Sequence, residues 1–371
     1  MLIQLFNWLP QMIYALVGIY FYFFFRRFMT LFSWKRKAWP VVLSVSGAIL
    51  CAASCIRLYR FGTVLVLHIL VVNLVMDVIN ILIRRSKSKE ETRKKWSILY
   101  RSGILTFVLV LAWMGYGYWN IHQVSETIYE IQTEKPLKEE VEILQISDLH
   151  MGTTMDPDHL VRLCEEMGKT PPDLVVLTGD IFDEHTSREW MEQAAEILGR
   201  IPAKDGVYYV FGNHDYNRYV NHPAYTPKEL EETLEKQGIS VLADEQETLP
   251  CGVTLVGRKD ASVPRKSAEE LFQEVNPDSY VVMLDHHPVD GEINARLGVD
   301  LQLSGHTHAG QIFPMGQISY ALGINEQNYG METKGTFHRV VSSGMGGWGY
   351  PVRTGGCCEY VRVRIKEKGR S

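Results

Sequence analysis

Thiol chemistry has little support in this sequence of 371 residues. The chain contains six cysteines but no CxxC pair, which argues against zinc-finger and thioredoxin-like sites. Cys357 and Cys358 are adjacent and therefore too close for an ordinary relaxed disulfide. Internal repeats and low-complexity segments are also lacking. We therefore assign the cysteines no chemical role and turn to the charged and polar residues.

Acidic residues are scarce in the first 119 residues, which hold 15 Lys and Arg against three acids, a net charge of +12. From Asn120 onward, 23 basic residues face 40 acidic ones, a net charge of −17. The overall charge of −5 therefore hides two modules of opposite character. We predict a transmembrane module over 1–119, a polar connector over 120–140 and a globular domain over 141–371.

Four runs in the N-terminal module are apolar, nearly free of charge, and about long enough to cross the hydrocarbon as tilted helices. These runs are 9–25, 41–56, 64–83 and 104–119. Tryptophans lie near their ends, where aromatic side chains anchor at lipid headgroups. Buried core helices are the alternative, but four such runs in so short a segment would leave too little polar surface. The pattern predicts an all-α bundle of four transmembrane helices.

Basic residues cluster after the first and the third run, at Arg26, Arg27 and 35–37, and at 84–101. Because cytoplasmic loops are enriched in Lys and Arg, both loops are expected inside the cell. A basic segment before the first run and a small-residue cleavage site after it are lacking, so we predict an anchor and not a removable signal peptide. The sequence thus predicts a multi-pass cell-membrane protein, with its N terminus outside and its C-terminal domain extracytoplasmic.

The third run carries polar residues, of which Asn73, Asp77 and Asn80 fall on one helical face. An intramembrane carboxylate is a candidate functional group, for example in a transporter or a channel. The alternative, which we favour, is a polar stripe that holds the bundle together through interhelical hydrogen bonds.

Beyond residue 140, apolar runs alternate with amphipathic helical stretches, which indicates an α/β domain. Five apolar runs stop on residues that can bind a metal: Asp148 and His150; Asp180 and Asp183; Asn213, His214 and Asp215; His286 and His287; His306 and His308. Ligands collect at the C-terminal ends of strands in α/β sheets, so these five sets are expected to converge on one site. Turn formation alone would explain one or two of the five, but not all of them.

The ordered motifs DLH, GDIFD, GNHD, LDHHP and GHTH resemble those of the calcineurin-like metallophosphoesterases, over roughly residues 141–365. The GHTHAGQ segment and the apolar N-terminal runs are similar to a membrane-anchored bacterial subgroup. The resemblance implies an αββα fold, with two β-sheets packed face to face and helices outside, and a centre of two divalent metal ions. It implies that one metal is held by Asp148, His150, Asp180 and His308, and the other by Asp180, Asn213, His286 and His306. His214 would face the substrate without binding metal.

This ligand set suits the chemistry of phosphoester hydrolysis, because paired cations lower the pKa of a water molecule and neutralise phosphoryl charge. Mixed Asp, Asn and His ligation suits Mn, Fe, Zn, Co or Ni, of which Mn or Fe is favoured. We expect a metal-bridging hydroxide to attack phosphorus while His214 acts as general acid. Asp215 either orients His214 or caps the following turn, and Asp183 supports a ligand. His287 should point away from His286, as a structural or substrate-facing residue.

The substrate class is left open between phosphomonoesters, phosphodiesters and pyrophosphates. A domain with a net charge of −17 is a poor partner for nucleic acid. Tethering to a bilayer favours a lipid-linked or envelope phosphoester. The glycine-rich stretch 342–356 carries Arg353, either on a mobile lip that pairs with phosphate or as an exposed residue of an ordinary loop between strands. The alternative function is a non-catalytic metal-binding sensor on a membrane bundle, and the oligomeric state is not indicated.

Overall fold

The structure is a computed structural model that describes residues 2–56, 60–87 and 89–369. It divides the chain into two compact units, Met1–Tyr116 and Gly117–Ser371. The charge pattern placed the boundary after residue 119, close to this division.

The first unit is helical, as its apolar runs predicted. Its helices are α1 (Leu2–Met29), α2 (Trp39–Ser54), α3 (Phe61–Arg85), α4 (Glu90–Ser102) and α5 (Ile104–Asn120), of which α5 ends in the second unit. Gly103 separates α4 from α5 with a left-handed φ of 68°, a conformation that glycine adopts without strain. The basic loop predicted after the third run is therefore itself partly helical, because α4 occupies it.

Two helices are long and apolar enough to cross a membrane, Gln11–Met29 and Phe61–Arg85. A third crossing results if α4 and α5, which are bent by 57° at Gly103, count as one span. Helix α2 is apolar but has only 16 residues. The described residues therefore contain two or three helices that meet the length expected of a span, and the four-span arrangement stays a prediction.

Residues of the polar stripe predicted on the third run form an ion pair and hydrogen bonds within the first unit. Arg27 Nη1 lies 2.7 Å from Asp77 Oδ1, and the hydroxyls of Tyr20 and Tyr100 each donate to the Asp77 carboxylate at 2.7 Å. Arg27 also donates to the side-chain oxygen of Asn73 at 3.2 Å. This network joins α1, α3 and α4 and pairs the Asp77 charge, which supports the structural alternative for this stripe.

The second unit is an α/β domain. Its strands are β1 (Val124–Thr133), β2 (Val141–Ile146), β3 (Leu174–Leu177), β4 (Val207–Tyr209), β5 (Ile239–Val241), β6 (Glu245–Thr248), β7 (Val253–Gly257), β8 (Tyr280–Leu284), β9 (Leu301–Ser304), β10 (Gly330–Lys334), β11 (Phe337–Val341) and β12 (Cys358–Glu367). Its helices are α6 (Pro157–Met167), α7 (Arg188–Gly199), α8 (Pro227–Lys236), α9 (Ala268–Leu271), α10 (Gly291–Leu297) and α11 (Met315–Ala321).

Among the described residues these strands form two six-stranded sheets, in the orders β1-β12-β2-β3-β4-β5 and β10-β11-β9-β8-β7-β6. Alternate residues of a strand face opposite sides, and the core follows this rule. In β2, Ile143 packs between the two sheets while Leu144 packs in the layer that includes α6, α7 and α8. A further apolar layer joins the second sheet to α9 and α10. The predicted two-sheet α/β architecture is confirmed.

The segment predicted as a polar connector, 120–140, is instead part of the domain. Strand β1 pairs in parallel with β12 along its whole length, from Val124 opposite Cys358 to Thr133 opposite Glu367. An edge strand with one solvated face is mostly polar, so its sequence resembles a linker. The linker interpretation was therefore wrong for residues 124–133.

The parallel register brings the motif-bearing strand ends together at one edge of each sheet. Ile146 of β2 pairs with Leu177 of β3, which pairs with Tyr209 of β4 in the first sheet. In the second sheet, Leu284 of β8 pairs with Leu303 of β9. Each of these residues stands just before a predicted ligand set.

Candidate metal centre

The chain turns sharply where the candidate ligands lie. Asp148, His150, Asp180, His306 and His308 all have positive φ, between 45° and 71°. Such left-handed backbone is unfavourable for side-chain-bearing residues and is often found at functional sites.

Glycines allow two of these turns to approach each other closely. A Cβ on Gly179 would lie 2.5 Å from the backbone nitrogen of Gly212, and one on Gly212 would lie 2.5 Å from the backbone nitrogen of Asp180. Only glycine fits at such a backbone contact. Glycine directly before Asp180 and Asn213 therefore permits the two candidate ligand loops to lie in contact.

Asp148, His150 and His308 form one buried group whose potential ligand atoms lie within 4.8 Å of one another. The Nε2 atoms of His150 and His308 are 3.1 Å apart, and His308 Nε2 lies 3.5 Å from Asp148 Oδ1. Strands from both sheets therefore contribute to a single constellation that could hold a cation.

A second constellation adjoins the first through Asp180. His286 Nε2 lies 3.1 Å from Asp180 Oδ2, and His150 Nε2 lies 4.0 Å from the same oxygen. His306 Nδ1 lies 3.0 Å from the side-chain oxygen of Asn213. Asp180 thus has histidines of both predicted ligand sets beside one carboxylate oxygen.

The hydrogen bonding of His286 shows that this donor set fits divalent cations. Its Nδ1 donates to the Thr178 carbonyl at 2.8 Å, which leaves the Nε2 lone pair directed at the Asp180 carboxylate. Two buried acceptors that face each other need a proton or a cation between them. Carboxylate, amide and imidazole groups are suitable ligands for borderline divalent metals.

The metal-free electrostatics agree with a site that is short of positive charge. Burial raises the pKa of Asp148. Burial would also raise the pKa of Asp180, but His286 outweighs it and holds that pKa well below its usual range. Conversely, the Asp180 carboxylate outweighs desolvation and raises the pKa of His286. Beside Asp180, the raised pKa of His286 favours a protonated imidazole at a place where a metal would supply the positive charge.

His214 lies beside this cluster, and its ring is paired with Glu184. Its Nδ1 is 2.9 Å from one Glu184 carboxylate oxygen and 3.2 Å from the other. Desolvation lowers the pKa of His214, but Glu184 and Asp180 more than offset this and raise it to about 9 in the metal-free protein. The rings of Tyr219 and Trp348 lie 5.1 and 5.5 Å from the His214 ring. The raised pKa favours the protonated form of His214, which lies beside two aromatic rings.

Asp215 has neither of the roles predicted for it. It is fully buried, and its carboxylate accepts from the backbone N–H groups of Asp180, Phe182 and Gly212 at 2.8 to 3.0 Å. Burial and the nearby Asp180 raise its pKa to about 7. Asp215 fixes the two loops that carry Asp180 and Asn213, rather than orienting His214 or capping a following turn.

Asp183 lies behind a candidate ligand. Its Oδ2 is 3.4 Å from His150 Nδ1, on the side of the ring opposite the cluster. Burial would raise the pKa of Asp183, but His150 lowers it. A carboxylate in this position fixes the orientation of a metal-binding imidazole.

His287 does not point away from the cluster, contrary to the prediction. Its ring centroid lies 3.6 Å from that of His306, and its Nδ1 lies 2.6 Å from an oxygen of Asp260. Strand β8 ends at Leu284, so the alternation assumed for neighbouring residues does not extend to His287. His286, His287 and His306 together form a further group that could hold a metal.

Arg353 also differs from both interpretations of the glycine-rich stretch, because it is neither on a lip nor exposed. The side chain is fully buried, and its guanidinium donates to the carbonyls of His308, Ser343 and Gly346 at 2.8 to 3.0 Å. A guanidinium enclosed by backbone carbonyls cannot reach a substrate phosphate. Arg353 instead holds the loop of His308 in place.

Glu184 and Asp260 were not recognised in the sequence. Glu184 directly follows the GDIFD motif, and this adjacency was the available signal. Asp260 is remote from every motif, and only tertiary structure brings it to His287.

The sequence has relatives in a known family. A family model for calcineurin-like phosphoesterases matches residues 141–310. An uncharacterized metallophosphoesterase of Aquifex aeolicus is 31% identical over 250 residues, which cover 65% of this chain and 91% of that protein. The chain belongs to the calcineurin-like metallophosphoesterases.

A Danio rerio transmembrane protein with metallophosphoesterase domain is 28% identical over 341 residues, covering 86% of this chain and 74% of the relative. Among solved structures, a dimetal phosphatase from Danio rerio is 13% identical, with a TM-score of 0.37 over 55% of this chain and 87% of that chain. Family membership makes this metallophosphoesterase a metal-dependent phosphoester hydrolase, and its apolar helices associate it with a membrane.

Proposed function

We propose that this metallophosphoesterase is a membrane-anchored, two-metal enzyme that hydrolyses a lipid-linked or envelope phosphoester. The bond is a phosphomonoester, phosphodiester or pyrophosphate linkage. The observation that carries the proposal is the position of Asp180, whose carboxylate lies beside His286 of one ligand set and His150 of the other. A carboxylate shared in this way is what a pair of closely spaced cations requires.

The ligand assignment divides the cluster into two sets. One ion is assigned to Asp148, His150, Asp180 and His308, and the other to Asp180, Asn213, His286 and His306. Mn or Fe is favoured, and Zn, Co or Ni also suits these ligands. When bound, the ions supply Lewis acidity at phosphorus and lower the pKa of a water molecule to make it nucleophilic.

The protein side chains supply orientation and a proton. Glu184 and Asp180 hold His214 protonated, so that His214 can give its proton to the departing ester oxygen. Asp183 and Thr178 fix the rings of His150 and His286 through their Nδ1 atoms. Asp215 and the glycine contacts hold the loops in register.

The membrane arrangement extends this proposal. We infer four spans, cytoplasmic basic loops and an extracytoplasmic catalytic domain. The inference is supported by the basic residues Arg26 and Arg27 at the end of α1, and Arg84 and Arg85 at the end of α3. Protease accessibility of the domain in intact cells, compared with lysed cells, tests this sidedness.

Turnover by the full-length protein in detergent tests the catalytic assignment. After chelation and reloading with Mn²⁺, the protein should hydrolyse bis-p-nitrophenyl phosphate or p-nitrophenyl phosphate. His214→Ala should lower kcat by about 10²- to 10⁴-fold and retain its metal, because a general acid contributes that much. His338→Ala is the matched control, because His338 pairs with Leu301 at the end of β9 remote from the site. Equal kcat values for His214→Ala and wild type would refute the acid role.

A further inference from the structure

A row of large apolar side chains is exposed beside the GHTHAGQ segment. Leu322 is 70% exposed and Ile324 is 66% exposed. We call this row the apolar rim, which comprises Phe313, Met315, Ile318, Tyr320, Leu322 and Ile324. Elsewhere in the described part of the domain, exposed large apolar residues also occur singly, as at Ile128 and Val161. Such a concentration of exposed large apolar side chains in one segment indicates a contact with a partner or a membrane.

The end of the apolar helix α5 is hydrogen-bonded to one loop of the domain. The Asn120 side chain donates to the carbonyls of Arg353 at 3.1 Å and Gly356 at 2.9 Å. The Arg353 backbone N–H donates in return to the Gly117 carbonyl at 2.9 Å. Tyr118 and Trp119, on this last turn, are both exposed. Exposed aromatic residues at the end of an apolar helix are typical of the membrane–water boundary.

The loop that contains Arg353 also forms hydrogen bonds with the residues at the start of the apolar rim. The backbone N–H groups of Thr354 and Gly355 each donate to the Gln311 carbonyl at 2.9 Å. The Phe313 N–H donates to the Thr354 hydroxyl at 3.1 Å. The end of α5 and the start of the rim are therefore hydrogen-bonded to the same short segment, 353–356. The membrane–water boundary that the helix end indicates thus lies next to the rim.

The segment 353–356 also contacts the candidate metal centre. The Arg353 guanidinium donates to the His308 carbonyl, and His308 is three residues before Gln311. The rim is thus connected to a candidate ligand through a few hydrogen bonds and little intervening chain.

We propose that the apolar rim inserts into the bilayer interface, and that the adjacent site acts on phosphoesters of amphiphiles whose apolar chains stay in the bilayer. The occupant of the rim is lipid. Electrostatic attraction does not account for such docking, because the chain from Asn120 onward has a net charge of −17 and anionic lipids would repel it. Apolar side chains placed beside the end of an apolar helix do account for it. The substrate class rests on the proposed hydrolytic function, whereas insertion of the rim does not.

Two substrates with one leaving group test the substrate class. The full-length protein in phosphatidylcholine nanodiscs would be assayed on p-nitrophenyl hexadecyl phosphate, which partitions into lipid, and on soluble p-nitrophenyl ethyl phosphate. Wild type should prefer the hexadecyl ester in kcat/KM. Leu322→Glu combined with Ile324→Glu should reduce that preference by at least about tenfold, because each change removes a large apolar side chain from lipid. Its kcat on the ethyl ester should stay within about twofold of wild type, because neither residue belongs to the site.

Val161→Glu is the control, because it also replaces an exposed apolar residue, on α6, with glutamate. This variant should keep the wild-type preference. An unchanged hexadecyl preference in the Leu322/Ile324 double variant would overturn the proposed substrate class.

A fluorescent label reports insertion without relying on catalysis. An environment-sensitive fluorophore on Ile324→Cys should shift its emission to the blue in nanodiscs that hold one chain each, while the same label on Val161→Cys should not. Water-like emission at Ile324 would overturn the insertion. A shift seen only in detergent at high protein concentration would identify a second copy of the chain as the occupant and also overturn it. If wild type hydrolyses neither diester but hydrolyses p-nitrophenyl phosphate, the proposed function stands and amphiphilic phosphodiesters are overturned as its substrates. If wild type hydrolyses none of the three esters, the proposed function fails, and the label still decides the role of the rim.

Discussion

The Nδ1 atom of His214 lies 2.9 Å from a carboxylate oxygen of Glu184, and this pair sets the state of the candidate acid. His214 Nδ1 is engaged by Glu184, which leaves Nε2 as the ring nitrogen available to a substrate. The pair is also the main reason that the pKa of His214 rises above its ordinary value despite desolvation. A general acid must hold its proton at the operating pH, and Glu184 supplies this condition.

Glu184→Gln should lower kcat by about 10- to 100-fold, as is usual when a partner behind a functional histidine is removed. Loss of the carboxylate also lowers the pKa of His214. Because the acid works only when protonated, activity falls as pH rises through that pKa, and this alkaline limb should move to lower pH in the variant. A pH profile of kcat measures both effects.

Glu189→Gln, an exposed change at the start of α7, is the control and should leave the profile unchanged. An alkaline limb that stays in place in Glu184→Gln would show that Glu184 does not tune the acid.

Asp215→Ala should destabilise the domain by about 3 kcal/mol or more. The change leaves the buried N–H groups of Asp180, Phe182 and Gly212 without their acceptor, and each such loss costs about 1–3 kcal/mol. Chemical denaturation of the full-length protein measures the difference. Asp158→Ala, an exposed change in the first turn of α6, should cost less than about 1 kcal/mol. Similar losses in the two variants would contradict the structural role of Asp215.

Arg353→Met should lower the thermal midpoint and weaken metal binding without a specific rise in KM. Its guanidinium holds three buried carbonyls, one of them on the candidate ligand His308, and does not reach a substrate. Arg364→Met, at a partly exposed residue of β12 paired with Glu142, is the control and should do neither. A large increase in KM at unchanged stability would instead restore the phosphate-binding interpretation.

The strand ends were predictable because each is a local pattern, in which an apolar run stops on a polar, ligand-type residue. Parallel strands then bring Asp148, Asp180 and Asn213 to one edge without further information. The motifs of the second sheet, at His286 and His306, were found in the same way.

The residues that the sequence did not assign correctly depend on tertiary contacts. Glu184 acquires its role only when its loop meets His214, and Asp260 only when it meets His287. The predicted phosphate-binding role of Arg353 rested on its charge alone, whereas its burial gives it a structural role. Edge strand β1 was missed because its apolar residues do not alternate regularly: Ile128 is exposed, whereas the polar Thr133 is buried.

Metal content per chain tests the central claim that these strand ends jointly hold two ions. Purified full-length protein, chelated, reloaded with Mn²⁺ and freed of excess ion, would be measured by elemental analysis beside Asp180→Asn and Asp183→Asn. Two equivalents should bind to wild type and to Asp183→Asn, the latter with affinity reduced by about 10- to 100-fold. Asp180→Asn should lose both ions, because it removes the shared carboxylate. Retention of two equivalents by Asp180→Asn, or no binding by wild type, would contradict the proposed centre.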